Sequence, residues 1–409
     1  VSKGEMNEDI EKIILANVRT PEERKGDLGA QLAATLRACQ RLEALAERYG
    51  ADTLIGTMAD VMDYSERLMR AMLSDLPDGE GAFADHLDGD GIPDDEAGND
   101  APIHIRMKVV KTGDEITVDF AGTDPQTAGP INAPLSVTAS GVYCGLKTAI
   151  DPNSLIPPNS GCWRAITVTA PKGSLLNAEF PSPVVYANHE ISHRLADMVM
   201  GALVHFWPGQ VMACSQGTSA ILTLGGVDPR TGNRYVSYET IKGGFGARPN
   251  KDGINTIASG ISNTMNTPVE VLEMAFPIRI LEYAIAPDTG GAGKFRGGNG
   301  ARRTWQLLDE AQATGTLCME RMTSAPFGLA GGSAGAAATV TIRTPDGATR
   351  SLPSKGAFKV PGGSIIDMLT PGSGGFGDPG ERDPQAVKRD LEEGYVTPDG
   401  VKRDYGAKS

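Results

Sequence analysis

Glycine constrains this chain more than any other residue type. It supplies 51 of 409 positions, many of them in clusters: Gly225-Gly226, Gly243-Gly244-Phe245-Gly246, Gly290-Gly291-Ala292-Gly293 and Gly297-Gly298-Asn299-Gly300. Such clusters demand either positive φ or backbone approaches that leave no room for a Cβ. The segment 225–300 is therefore expected to be dense in turns and loops held by strands, the usual setting for a site.

Around that segment the hydrophobic period divides the chain into three: a helical segment 1–100, a mixed α/β core 101–300 with glycine-rich loops, and a β-rich region 301–409 ending in a short tail helix. Thr20-Pro21-Glu22-Glu23 combines an N-cap, a proline at the first helical position and a capping-box glutamate. Leu28, Leu32, Leu36, Cys39, Leu42 and Leu45 then recur at helical steps until Gly50. A second helix follows from Asp52 to before Pro77, completing a helical hairpin whose charged faces read as solvated surface. At Ile103 the period becomes alternating, and the runs 103–109 and 115–120 form an antiparallel hairpin around Gly113 on which His104 faces solvent. Ala133–Ile150 reads as a small-residue helix, Ala165–Ala170 as a strand and Ile191–Phe206 as a nearly buried helix. Further strands are expected at 302–308, 314–320, 338–343 and 364–369, and a helix at 384–393, with a polar, peripheral tail from Tyr395. With no parallel β-α-β rhythm, the fold class is α+β.

Charge and apolar runs exclude several functions. With 38 Lys+Arg against 51 Asp+Glu the net charge is −13, so no broad basic field exists for nucleic acid or anionic membranes. No apolar run reaches the ~18 residues a bilayer span needs. The start is not signal-like, which gives a cytoplasmic expectation. Cys39, Cys144, Cys162, Cys214 and Cys318 are scattered and odd in number, as expected of reduced thiols. The absence of a starting methionine fits a fragment or a processed chain.

The chemistry candidates are few. No phosphate-binding loop is present, so any ATP must be held by another chain. The acidic stretch from Asp85 to Glu96 imitates a calcium loop in the wrong register and reads as a surface turn. His189-Glu190-Ile191-Ser192-His193 has H-E-x-x-H spacing, which on a helix places both imidazoles on one face. Pro181, Pro183 and Asn188 put His189 at a helix start, and no third ligand follows at a recognisable spacing. Zinc chemistry, a polar site lining and ordinary helix-start residues all remain open for this cluster. Ser215-Gln216-Gly217-Thr218 is a polar turn and not a nucleophile elbow. Ser262-Asn263-Thr264-Met265-Asn266-Thr267 either knits a loop or presents amides and hydroxyls to a polar ligand.

Eight motifs in collinear order resemble the hydantoinase B/oxoprolinase family: ILANVRTPEERKGDLGAQ (14–31), DFAGTDPQTAGPINAPLSVT (119–138), SQGTS (215–219), YETIKGGFGARPNKDG (238–253), SNTMNTPVEVLE (262–273), DTGGAGKFRGGNG (288–300), FGLAGGSAG (327–335) and TPGSGGFGDPGERDP (370–384). The resemblance implies a B-type subunit of an ATP-dependent cyclic amidohydrolase that opens a hydantoin, 5-oxoproline or lactam ring. It implies a hetero-oligomer in which a hydantoinase A-type ATPase binds ATP and phosphorylates the amide. It further implies a divalent metal, zinc- or manganese-like, whose ligands lie in an N-terminal region that family members carry ahead of the segment matched here. By the same resemblance Glu190 and His189 are the catalytic candidates, and Ser215, Gln216, Arg248, Asn263 and Asn266 the substrate-binding ones. The alternatives are a subunit of an ATP-dependent acetone- or acetophenone-type carboxylase, and a non-catalytic scaffold that binds the A subunit.

Overall fold

The computed structural model describes residues 1, 4–94 and 100–406. Three helices come first: α1 (Glu8–Ala16), α2 (Pro21–Tyr49) and α3 (Ala51–Ser74). Asn7 caps α1 by accepting from the amides of Asp9 and Ile10, and Gly50 supplies the positive φ that breaks α2 from α3. The hairpin is as expected from its period, but none of the 29 residues of α2 is buried and Leu36, Leu42 and Leu45 stay exposed. Only the end of α3, through Met69 and Leu73, enters the core.

The first sheet is β1 (Gly79–Leu87), β2 (Ile103–Thr112), β3 (Glu115–Asp119) and β4 (Ile166–Thr169), in that order. Alternation in β2 buries Ile103, Ile105, Met107 and Val109 on one face and leaves His104, Arg106 and Lys108 exposed. The buried face meets α5 (Ser192–Leu203), which packs on α4 (Leu135–Ile150). Gly141 and Gly145 of α4 lie against Ser192, Leu195 and Val199, so the two helices approach closely. The β3–β4 pair is parallel, with α4 in the crossover, so one β-α-β unit exists where the sequence showed no such rhythm.

Two more sheets form a second core around Trp305, Leu317, Ile342 and Met368. One is ordered β11-β10-β13-β8-β7, from β7 (Ile278–Ile285), β8 (Ala301–Leu307), β10 (Thr339–Arg343), β11 (Thr349–Ser351) and β13 (Ile365–Leu369). The other is ordered β12-β9-β5-β6, from β5 (Ile221–Val227), β6 (Arg234–Thr240), β9 (Gln312–Cys318) and β12 (Lys355–Val360). Every pairing in these two sheets is antiparallel. Helix α6 (Val269–Ala275) precedes β7, and α7 (Pro384–Glu392) and α8 (Pro398–Tyr405) close the chain. The α+β class holds.

Several local expectations are corrected. Residues 79–87 are a strand, not part of a helical segment, whereas β6 and β7 lie within 225–300 among the expected loops. The tail is not peripheral from Tyr395 onward: its carbonyl accepts from the Asp288 amide and the Asn299 side chain, and α8 follows. The acidic stretch is a surface turn only at residues 91–94; its first part is built into the fold. Asp85 sits between Arg194 and Arg321 at 3.1 and 2.8 Å, and the buried Asp88 accepts from the Met322 amide and the Thr323 hydroxyl; Asp95 and Glu96 lie outside the described residues. Close approach, more than positive φ, explains the glycine clusters. A Cβ on Gly374 would overlap the Phe327 carbonyl and one on Gly244 the Gly298 carbonyl, because four glycine-rich strips, near residues 244, 291–298, 328–335 and 372–377, bond to one another backbone to backbone.

Candidate functional site

The chain enters α5 through one π-helical turn, Ala187–Ile191, closed by an i→i+5 bond from the Ser192 amide to the Ala187 carbonyl, a turn frequent at functional sites. That turn sends His189 and His193 to one cavity of about 380 Å³. Its other walls are Ser219 before β5, Tyr238 to Lys242 at the end of β6, and the loop 261–267 that carries Asn263 and Asn266.

The His193 ring is fully committed. Its Nδ1 faces the Ser259 hydroxyl and its Nε2 lies 3.4 Å from the Ser219 hydroxyl. Burial, then the Lys242 ammonium and His189, pulls its pKa down to about 3, so the imidazole is neutral at physiological pH. The half-buried His189 also has a lowered pKa, from burial and then Lys242, and its Nδ1 has no partner among the described residues. Lys242 gives a hydrogen bond to the Thr240 hydroxyl at 3.1 Å, and burial lowers its pKa while Glu190 acts in the opposite sense. The cavity is thus lined by two imidazole rings, one ammonium, the Glu239 carboxylate, a serine hydroxyl and two side-chain amides. This set can orient a polar, uncharged ring and move a proton.

Glu190 stands behind the cavity wall. It is completely buried; Oε1 accepts from the Ser219 amide at 3.2 Å and Oε2 has no partner among the described residues. Burial, reinforced by the charge of Glu320, pushes its pKa up to about 8, so this is a protonated carboxyl at neutral pH. Glu320 itself is tied to Arg194 at 2.9 Å and to Lys355, and accepts from the Asp88 amide. Arg194 belongs to α5, Asp85 to β1 and Lys355 to β12, so this buried ionic cluster joins the first sheet to the third and fixes the helix that carries His193.

The match of the hydantoinase B/oxoprolinase family model to residues 1–379 accounts for nearly all of this architecture. The chain belongs to the hydantoinase B/oxoprolinase family. Among relatives, an uncharacterized protein of Methanocaldococcus jannaschii is 34% identical over 408 residues, covering 100% of this chain and 69% of that one. The caprolactamase subunit beta of Pseudomonas jessenii is 31% identical over 426 residues, covering 99% and 70%. A 5-oxoprolinase of Dictyostelium discoideum is 31% identical over 379 residues, covering 92% of this chain and 28% of that protein. The crystal structure of the ATP-dependent caprolactamase from Pseudomonas jessenii superposes with a TM-score of 0.85 at 30% identity, over 99% of this chain and 70% of that one. A nucleotide-free acetone carboxylase superposes at 0.86 but with 19% identity, over 98% and 59%, a likeness of fold alone.

Of the residues singled out from sequence in this hydantoinase B/oxoprolinase chain, His189, Asn263 and Asn266 line the cavity. The Asn266 amide also hydrogen-bonds the Tyr283 hydroxyl. Glu190 reaches the cavity only through Ser219. Ser215 and Gln216 are buried and do not line the cavity; the Ser215 backbone amide bonds to Asp197 at 3.1 Å and the Gln216 backbone amide to the Gly244 carbonyl at 2.8 Å. Arg248 lies in a different cavity. Ser219 and Lys242 were not singled out, although both belong to quoted motifs, SQGTS and YETIKGGFG; a serine and a lysine at strand ends beside polar turns were the available signal. The residues do not fit a divalent metal. Both His193 nitrogens face serine hydroxyls, and the described residues contain no group of three or more His, Cys, Asp or Glu side chains placed to hold one. No helix among the described residues is long and apolar enough to cross a membrane.

Proposed function

We propose that this chain is the B-type body of an ATP-dependent cyclic amide hydrolase and that it acts with an A-type ATPase subunit. The observation that carries the reading is the correspondence of 99% of this chain with 70% of the caprolactamase subunit beta, in sequence and in fold. The cavity supports it. A lactam presents one carbonyl acceptor and one N–H donor in its planar amide, and a hydantoin two of each; Asn263, Asn266, Lys242 and Ser219 offer donors and acceptors of that kind. An unactivated amide resists attack because resonance strengthens its C–N bond. Phosphorylation of its oxygen by the partner converts it to an imidate open to water; cleavage of the ring C–N bond after water adds leaves an acyl phosphate, which a second water hydrolyses to carboxylate and phosphate.

This chain's part is to seat that ring and to manage protons. His189, whose ring lines the cavity, is the residue we assign to take a proton from the attacking water or to return one to the departing nitrogen. Neutral His193 holds the Ser219 hydroxyl, and the protonated Glu190 holds the Ser219 amide from behind.

The test is reconstitution with an A-type ATPase and a panel of hydantoins, 5-oxoproline and lactams. Ring opening that requires both proteins and ATP is expected, with no ATP turnover by this chain alone. A product that appears only with bicarbonate and carries its carbon would replace this reading by a carboxylase. Partner binding with no product from any substrate would leave a scaffold.

A further inference from the structure

A larger cavity of about 880 Å³ opens elsewhere, between α4, the turn at Trp163, the end of α5 and the loop 245–251. It shares no lining residue with the site above. A void of about 30 Å³, room for about one water, lies between them, with Cys144 and Met200 on one side and His193 and Ser259 on the other. The volume falls within the ~300–1,000 Å³ typical of small-molecule sites.

Two features give this cavity chemical character. Tyr143 and Trp163 stack with ring centroids 4.4 Å apart and planes within 4°, a rigid flat surface. Three cations line it, and they differ in how they are neutralised. Lys147 is paired with Asp151, which also accepts from the Leu155 and Ile156 amides. Arg248 and Lys251 have no carboxylate within 4 Å among the described residues. Arg248 gives one N–H to the Asp252 carbonyl at 2.9 Å, its Nε is buried without an acceptor, and its guanidinium lies over the Phe245 ring. The Asp252 carboxylate is taken up by Arg382 at 2.7 and 2.9 Å. In a chain of net charge −13, two uncompensated cations beside an aromatic wall mark a place for an anion.

We propose that this cavity is a second ligand site, for an organic anion that sets a carboxylate or phosphate against Arg248 and Lys251 and a flat apolar body against the Tyr143–Trp163 stack. None of its residues lines the cavity assigned above to ring opening, so it stands whether or not that reading does. Intrinsic fluorescence tests it, because Trp163 is partly exposed whereas Trp207 and Trp305, the other two tryptophans, are 2% and 1% exposed. The 409-residue chain is titrated with benzoate, phenyl phosphate and neutral benzyl alcohol. Saturable quenching by benzoate or phenyl phosphate is expected, with benzyl alcohol at least about tenfold weaker, and the tighter anion names the head group. Lys251→Gln, at an exposed side chain, and Arg248→Gln should each weaken the anion about tenfold. Trp163→Phe should abolish the quenching while calorimetry still detects binding. Equal affinity for the alcohol, indifference to both cation substitutions, or no saturable binding of either anion up to about 10 mM would overturn the proposal.

Discussion

Replacing Glu190 by glutamine removes one ionisable group from the most deeply buried position behind the candidate site and keeps its shape. The carboxyl has an ordinary pKa of 4.5, raised in the folded protein to about 8 by burial and then by Glu320. Above pH 4.5 the unfolded chain releases this proton while the folded chain keeps it until about pH 8. The folded state therefore binds the extra proton, and stability falls as pH rises through that window. At about 1.4 kcal/mol per unit, the cost in the wild type relative to acid solution reaches about 3 kcal/mol at pH 7 and about 5 kcal/mol above pH 8. Glutamine does not titrate, so the stability difference between Glu190→Gln and wild type should move in favour of the variant at that slope between pH 5 and 8, then level off. Denaturant titrations of both proteins at several pH values from 5 to 9 read this difference directly. A difference that does not vary with pH would show that Glu190 ionises normally, and the reasoning about its burial beside Glu320 would be wrong.

Other substitutions separate chemistry from scaffold. His189→Ala in the reconstituted complex should lower the rate of ring opening by about 10²–10⁴, with the denaturation midpoint little changed, measured as kcat beside a urea melt. Arg194→Met removes one buried positive charge from the ionic cluster, leaving Asp85 to Arg321 alone and Glu320 to Lys355 alone, and should cost about 3–5 kcal/mol in the same melt. Gly374→Ala drives a methyl into the Phe327 carbonyl and should cost at least about 1–3 kcal/mol, whereas Gly29→Ala, with open space around it on α2, should gain up to about 1 kcal/mol.

What the sequence made legible was whatever depends on near neighbours. The helical hairpin, the β2–β3 pair and α4 each carry a full local period, and each appears within a few residues of its expected bounds. Strand β1 escaped notice because Gly-Glu-Gly-Ala-Phe-Ala-Asp-His-Leu has no β-branched residue and becomes a strand by pairing along the whole of β2. The glycine clusters were read as sources of both positive φ and close approach, and their true partners are other glycine strips far along the chain. The site divides in the same way. His189 and His193 were legible as a pair because one turn presents both. The raised pKa of Glu190 depends on its burial and then on the charge of Glu320, far along the chain, and the separation of Arg248 from His189 depends on how α4, α5 and the loop 245–251 pack. None of these is a property of local spacing.

The coupling ratio between ATP and ring opening bears most directly on the account. With this chain, an A-type ATPase and the preferred cyclic amide, ADP and ring-opened product should form in a constant ratio, and omitting this chain should abolish the product. A ring that opens at the same rate without ATP, or with the ATPase alone, would contradict it.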